Sequence, residues 1–598
     1  MVNAVGPIGA LIELVKRLEP QQRRLLFLGQ LCIIASVVLE LLIPQQIQRI
    51  IDDGIRNEDV GVIVATSGLM LAFTVGSAAF AICAAWIGSK VTTQAAHALR
   101  MSVYERVTEL SFGDLDRFKT GPLLVRLTSD IAIVRNGFLV GASMIIRAPV
   151  MLIGAVGLVA FETPQLLLPT VFVVGAMSLL ILVVVPSLTP LYAAQQNRLD
   201  RLNTVLQENL AGVQVVKNFV RQPLEIERYT ERNDDLYTAS MRPARRAAIL
   251  EPSFLTMLYL AIAGALILTG RSATTFLTAG ELATFFNYLL TAMLPIAFLG
   301  FVLPELGRMA TSLERFRDIE NAQPDVLESS DPTLLDHLDG SVEFDHVTMH
   351  YLDSSGQPSG DPVLEDVSFR IEAGETVVLL GSTGSGKTSL ISCIPRFYDV
   401  SSGSVRLDGH DVRDLRLQDI RSNVAVALQE ASIFTGSIEQ NIAMGSADAT
   451  REQIIEAAKA ADASAFIDSL DRGYEAGMNE KGNNLSGGQR QRVALARALV
   501  SDPSILILDD TTSAVDVATE ARIQERLAEQ FADITVIMVA QRVSAALSAD
   551  RILLLDNGRL VGNGTHDQLL ASNELYRTIV ESQLGPLDEV EALLGDRP

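Results

Sequence analysis

Hydrophobic positions fall into two regimes along the chain. As far as Leu303 they gather into long unbroken runs; from Ser341 onward they form short apolar stretches divided by polar turns. Six runs, at Leu25–Pro44, Val60–Ile87, Phe138–Phe161, Leu166–Leu188, Pro252–Leu268 and Leu282–Leu303, each approach the ~20 residues a helix needs to cross a bilayer. Buried helices of a soluble protein would not supply six of these in succession, so the pattern predicts six membrane spans. The second half reads as a soluble α/β region. The expected fold class is an all-α six-helix transmembrane domain followed by an α/β domain. The expected divisions are a segment over 1–24, the membrane domain over 25–320, a linker over 321–340, the soluble domain over 341–583 and an acidic tail over 584–598.

The connections between runs carry further information. Gly88–Gly137 and Thr189–Glu251 are long and rich in Lys and Arg, whereas the other connections are short and hold few, mainly Arg56 and Arg271. Positive-inside bias places the N-terminus, both long connections and everything after Leu303 in the cytoplasm. Helical patterning with few breakers predicts that the spanning helices continue past the membrane, with short transverse segments at Phe112–Phe118 and Phe219–Glu225. Ile8–Leu18 has two readings, an amphipathic helix on the membrane surface or a frayed terminus.

Some polar positions interrupt the runs. Glu40 and Arg147 are costly in lipid and each should face protein or water. For Arg147 contact with an anionic substrate is one reading; snorkelling or bonding to nearby carbonyls is the structural expectation. In the sixth run Thr284, Asn287, Tyr288 and Thr291 recur at i, i+3, i+4 and i+7, and Phe298 continues that face. This stripe is either a wall of an amphipathic substrate cavity or a set of helix–helix hydrogen bonds.

Composition agrees with the pattern. Apolar residues make up 48% of 598 residues, and mean hydropathy is +0.28. A chain of this length exceeds a single core. The net charge of −23 argues against nucleic acid as a partner. Cys32, Cys83 and Cys393 offer neither a disulfide framework nor metal spacing. The first apolar run lies behind Lys16, Arg17, Arg23 and Arg24 and reads as an anchor rather than a cleaved signal.

The soluble half carries the chemistry. Gly381, Ser382, Thr383, Gly384, Ser385, Gly386, Lys387 and Thr388 match the G-x-x-x-x-G-K-[ST] phosphate loop, between a strand-like run from Glu375 and a helical run from Ser389. Its glycines let backbone N–H groups surround phosphate oxygens, and the helix N-terminus adds partial positive charge. Lys387 is expected at the β- and γ-phosphates and Thr388 on Mg²⁺. Asp509, ending the apolar strand Ile505–Asp509, is expected to hold the magnesium through water, with Gln429 as a second contact to the ion or the attacking water. Leu485, Ser486, Gly487, Gly488 and Gln489 precede a helix that Ser486 can cap, another terminus shaped for an anion. Tyr351 closes an alternating strand and reads as an adenine-stacking ring or a core tyrosine.

These motifs together resemble the ATP-binding cassette exporters, in the half-transporter form. The resemblance covers roughly residues 10–583: phosphate loop (Walker A, Gly381–Thr388), Gln429, signature Leu485–Gln489, the strand Ile505–Asp509 (Walker B), the D-loop Ser513, Ala514, Val515 and Asp516, and six preceding spans. It implies ATP and Mg²⁺ as cofactors, and a second half-transporter as partner. Each ATP would lie between the Walker motifs of one chain and the signature of the other, with closure transmitted through the intracellular loops. It also implies a multi-pass protein of a prokaryotic cytoplasmic membrane. Two positions depart from the family pattern. The glutamate expected after the Walker B aspartate is Asp510, and the switch-loop histidine is Gln541. Asp510 is about 1.5 Å shorter in reach; Gln541 cannot carry a proton near neutral pH. The resemblance therefore implies the degenerate-site subunit of a heterodimeric exporter of drugs, lipids or similar compounds, hydrolysing ATP mainly at the partner's site. Alternatives are a homodimer with two slow sites, an exporter-fold importer of siderophore-like compounds, and a mainly regulatory ATP-binding subunit.

Overall fold

The computed structural model describes residues 6–271, 277–335, 337–353, 356–511, 515–531 and 533–585. The chain divides into two compact units, Met1–Thr108 with Gly121–Ala322, and Glu109–Thr120 with Gln323–Pro598.

The first unit is helical throughout its described residues. Six helices are long and apolar enough to cross a membrane: Pro20–Ile55, Val60–Glu109, Thr120–Glu162, Pro164–Ala211, Gln222–Ile267 and Ala279–Glu320. Each outlasts its apolar run, because the polar sequence beyond the run keeps helical periodicity and few breakers. The third and sixth pack together most extensively, and the first joins them. Gly137 and Gly154 allow the close approaches: a Cβ would meet Met309 at 2.5 Å at the first, and would come closer still to Leu41 at the second. A core of Val37, Met151, Met177, Phe285, Tyr288 and Met293 results.

Ahead of the spans lies a helix over Pro7–Arg17, which buries Ala10 and Leu14. Arg17 bonds Glu320 at 2.7 Å and Glu13 pairs with Arg317, so this helix is tied to the end of the sixth span. The first transverse segment forms over Phe112–Phe118, with Ser111 capping it. The second is displaced from expectation: the short helix is Val213–Asn218, and Phe219–Glu225 straddles a turn and the start of the next helix. Pro223 stands in the first turn of that helix, where its fixed φ favours initiation.

The polar stripe of the sixth span is divided by packing. Thr284 and Tyr288 are buried and donate hydrogen bonds to the carbonyls of Pro44 (2.9 Å) and Leu41 (3.2 Å) in the first span. These two therefore make helix–helix bonds rather than wall an open cavity, because a buried hydroxyl must find an acceptor. Asn287 bonds its own helix at Ala283, Thr291 is half-buried, and Phe298 is exposed. Arg147 pairs with Glu40 at 2.9 Å, joining the two charged intruders of the apolar runs.

In the second unit a two-stranded sheet pairs Gly436–Ser437 with Gly477–Met478, and two larger sheets pack around one core. One has six strands in the order Arg559–Gly564, Arg551–Asp556, Thr376–Leu380, Thr535–Val539, Ile505–Asp509 and Val424–Ala427. All are parallel except the first. The other is antiparallel, ordered Leu364–Ile371, Val342–Met349, Ser402–Leu407 and His410–Asp411. Phe344 and Phe369 stack at 4.7 Å, and Val377, Leu379, Ile507 and Ile537 close the core from the parallel side. A separate core of Ile438, Ile442, Ala457, Phe466 and Val493 serves the helical part that carries Gly487–Leu499.

Candidate functional site: a phosphate loop at the ends of parallel strands

Ligands in open α/β sheets bind beyond the carboxyl ends of parallel strands. Here four adjacent strands end together. Thr376–Leu380 runs into the phosphate loop, Ile505–Asp509 into Asp510, Thr535–Val539 into Gln541, and Val424–Ala427 into Gln429. Residues far apart in sequence thus meet at one edge because neighbouring parallel strands are in register.

The loop is backbone-built. Gly386 has φ +100 and precedes the helix Lys387–Cys393; its Cβ would lie 2.8 Å from the carbonyl oxygen of Val363. Only glycine fits there. Lys387 Nζ donates to the carbonyls of Gly381 and Ser382, both at 2.8 Å, so the ammonium bridges the loop it follows. Burial lowers the Lys387 pKa, while Asp509 and Asp510 pull it back up. Ser385 Oγ is buried without a hydrogen-bond partner among the described residues. An orphaned hydroxyl inside a nest of N–H groups fits an anion that is to be surrounded.

Thr388 Oγ1 donates to Asp509 Oδ2 at 3.4 Å. Burial raises the Asp509 pKa, with the threonine bond opposing. A hydroxyl beside a carboxylate is an oxygen donor set suited to Mg²⁺, which prefers hard ligands and phosphate oxygens. The residues present therefore fit ATP and magnesium. Bound magnesium would supply charge neutralisation between phosphate oxygens; the chain would contribute Thr388 and Asp509 to hold it and Lys387 to face the phosphates.

Asp510 lies next to this pair at φ +49. Its Oδ2 accepts hydrogen bonds from Gln541 Nε2 (3.1 Å) and Gln429 Nε2 (3.3 Å). Two of the expected polar contacts therefore converge on the third. Burial raises the Asp510 pKa above the ordinary carboxylate range, against Arg542 and Lys387.

Tyr351 is held by protein. Its hydroxyl shares a hydrogen bond with Ser389 Oγ at 2.9 Å, and its ring meets Tyr398 edge-on at 5.3 Å. Tyr398 in turn donates to Asp116 Oδ2 at 2.7 Å, while Phe112 lies 4.3 Å from Phe397. The transverse segment Phe112–Phe118 is thus seated on residues that follow the phosphate-loop helix.

The signature residues stand on the other core. Leu485 is buried there. Ser486 caps the helix Gly487–Leu499, accepting from Gln489 N at 3.3 Å, and Gln489 Oε1 accepts from Ser486 N at 2.8 Å. Gly487 and Gly488 are half-buried. Among the described residues no hydrogen bond joins this segment to the phosphate loop of the same chain. Ser513 and Ala514 lie outside the described residues. Val515 is half-buried, and Asp516 caps Val517–Gln530, with the bonds from Thr519 holding its carboxyl below the usual range.

One contact at this site carries no signal in the sequence. Gln583, near the end of the last described helix, accepts from Val543 N and donates to the Gln541 carbonyl, both at 2.8 Å. It clamps the loop that carries Gln541. A polar side chain on an exposed last turn gives no sign of that role in the sequence.

Comparison with known proteins places this geometry. The model of the ABC transporter transmembrane region matches residues 26–296, and the model described as ABC transporter matches residues 364–513. The chain is 31% identical to the uncharacterized ABC transporter ATP-binding protein YfiB of Bacillus subtilis, over 94% of this chain and 99% of that one. It is 32% identical to a fatty acid ABC transporter ATP-binding/permease protein of Mycobacterium tuberculosis, over 80% of this chain and 75% of that one. A solved bacterial Atm1-family ABC exporter with ATP bound superposes with a TM-score of 0.79 at 25% identity, covering 94% of this chain and 99% of the other. With six apolar spans fused ahead of an ATP-binding sheet, the chain belongs to the ABC transporter family, as a half-transporter of exporter fold.

Proposed function

We propose that this chain is the ATP-retaining half of an asymmetric two-chain exporter of hydrophobic or amphipathic compounds in a prokaryotic cytoplasmic membrane. The observation that carries the reading is the state of Asp510. It bears a side chain one methylene short of a glutamate and accepts bonds from two amides, Gln429 and Gln541, neither of which can carry a proton near neutral pH. A general base must lie within about 3 Å of the proton it takes. The phosphate loop, Lys387, Thr388 and Asp509 meanwhile keep every group needed to hold Mg-ATP. This site binds and retains nucleotide, while Ser486–Gln489 acts on ATP held by a partner that supplies glutamate and histidine.

A hydrophobic or amphipathic cargo is supported by the extent of apolar helix in the membrane unit and by the fatty acid transporter among the relatives. The test compares ATPase activity of the chain purified alone with that of the chain co-purified from its native membrane. Slow turnover alone and fast turnover with a co-purifying second half-transporter are expected. Equal turnover in both preparations refutes the asymmetric reading.

A further inference from the structure

The pair Glu40–Arg147 has no place in the ATP chemistry, yet charges inside an apolar span are costly. Arg147 stands about 18 Å of helix after Arg135 and about 22 Å before Glu162, at ~1.5 Å per residue, with no other charge between. It therefore lies well inside the hydrocarbon depth. Charges there face protein or a water-filled cavity, and they mark substrate, ion or proton paths.

The pair is only half-satisfied. Arg147 makes one hydrogen bond, Nη2 to Glu40 Oε2 at 2.9 Å, among the described residues. Among the described residues its Nε and Nη1 donate no hydrogen bond, and Glu40 Oε1 accepts none. Both side chains remain about one-third exposed, 33% and 35%. A purely structural guanidinium would be expected to fork bidentately onto its carboxylate and to be enclosed. The first and third spans instead present a short dipole with donors free at one end and an acceptor free at the other. In a low-dielectric setting the complement of a dipole is an antiparallel dipole: an anion on Arg147 and an N–H cation on Glu40 leave no net charge behind.

We propose that Glu40 and Arg147 form a headgroup site for a zwitterionic amphiphile, one carrying a phosphate or carboxylate a few bonds from a primary ammonium. This rests on the exporter reading above and names the headgroup class it handles. Glu40 repels a ligand that is only anionic, and Arg147 repels one that is only cationic, so the two residues select by charge pattern.

The test uses the full chain with its co-purified subunit in phosphatidylcholine nanodiscs, measuring equilibrium binding of radiolabelled oleoyl lysophosphatidylethanolamine. Competitors are O-oleoylserine (carboxylate and ammonium), lysophosphatidate (anionic), lysophosphatidylcholine (no N–H) and oleyl alcohol. Two zwitterions with N–H donors are expected to compete about tenfold or more better than the rest, the scale of a charge-assisted hydrogen bond; the better of the two identifies phosphate or carboxylate as the anion. Glu40→Gln should move the preference to lysophosphatidate, and Arg147→Gln should abolish recognition of either anion. If a single substitution prevents assembly, the double variant Glu40→Gln with Arg147→Gln removes both charges together and should bind without headgroup preference. Equal binding of all headgroups by the unaltered protein, or an unchanged preference in Glu40→Gln, overturns the inference and leaves the exporter reading intact. Failure to bind any of the amphiphiles, with ATP still turned over, overturns the amphiphile cargo itself.

Discussion

The proposed asymmetry is tested most directly by placing glutamate and histidine at positions 510 and 541. Asp510→Glu with Gln541→His alters two side chains that already touch: Gln541 Nε2 and Asp510 Oδ2 are 3.1 Å apart. Glutamate extends the carboxylate by about 1.5 Å. Displacing a catalytic group by ~1 Å costs about 10²-fold in rate, or about 2.7 kcal/mol of barrier. Histidine at 541 would supply a ring nitrogen able to exchange a proton near neutral pH. The backbone of residue 541 is anchored by Gln583 Nε2 on its carbonyl, so the new ring would start from the same position. Turnover at this site should rise about 10²-fold in the double variant, with less in either single variant because the two groups act together. The assay is single-turnover hydrolysis of radiolabelled ATP in the assembled transporter, with the partner's own site silenced by replacing its Walker lysine. An unaltered chain that already hydrolyses at the rate of the double variant would refute the reasoning, since Asp510 would then not limit the chemistry.

Gln583→Ala should free the switch loop; with two hydrogen bonds at a net ~0.5–1.5 kcal/mol each, faster amide exchange confined to residues near Val543 checks it. Tyr398→Phe keeps the ring beside Tyr351 but removes the bond to Asp116; nucleotide affinity should hold while transport per ATP falls, measured in vesicles. His566 bonds Tyr576 Oη through Nδ1 at 2.7 Å, its Nε2 is buried without a partner among the described residues, and burial lowers its pKa. The folded state favours the neutral ring, so stability is full above the unfolded pKa of about 6.5 and is lost as pH falls from there toward the folded value. Thermal unfolding scanned from pH 7.5 to 5 should show this loss, and His566→Gln should lessen it.

Much of the architecture was visible in short windows of sequence. An apolar run of ~20 residues has one stable fate in a bilayer, since its backbone must satisfy itself as a helix. A phosphate loop is legible because its φ angles and close approaches exclude side chains, as at Gly386. The second transverse segment differs from expectation because Phe219–Glu225 spans a turn and a helix start, a boundary that Pro223 marks.

Contacts across long separations were beyond such windows. Nothing near Glu40 names Arg147, nor does anything near Val543 name Gln583. The stripe on the sixth span had the same periodicity whether it faced a cavity or a helix; packing against the first span turned Thr284 and Tyr288 inward. The motif residues Gln429, Asp510 and Gln541 were identifiable singly, but their convergence on one carboxylate oxygen followed only from strand order. Local chemistry along the chain thus set the spans, the phosphate loop and the identities of the altered residues. Tertiary structure decided which of them meet, because hydrogen bonds and ion pairs depend on distances that chain order does not encode.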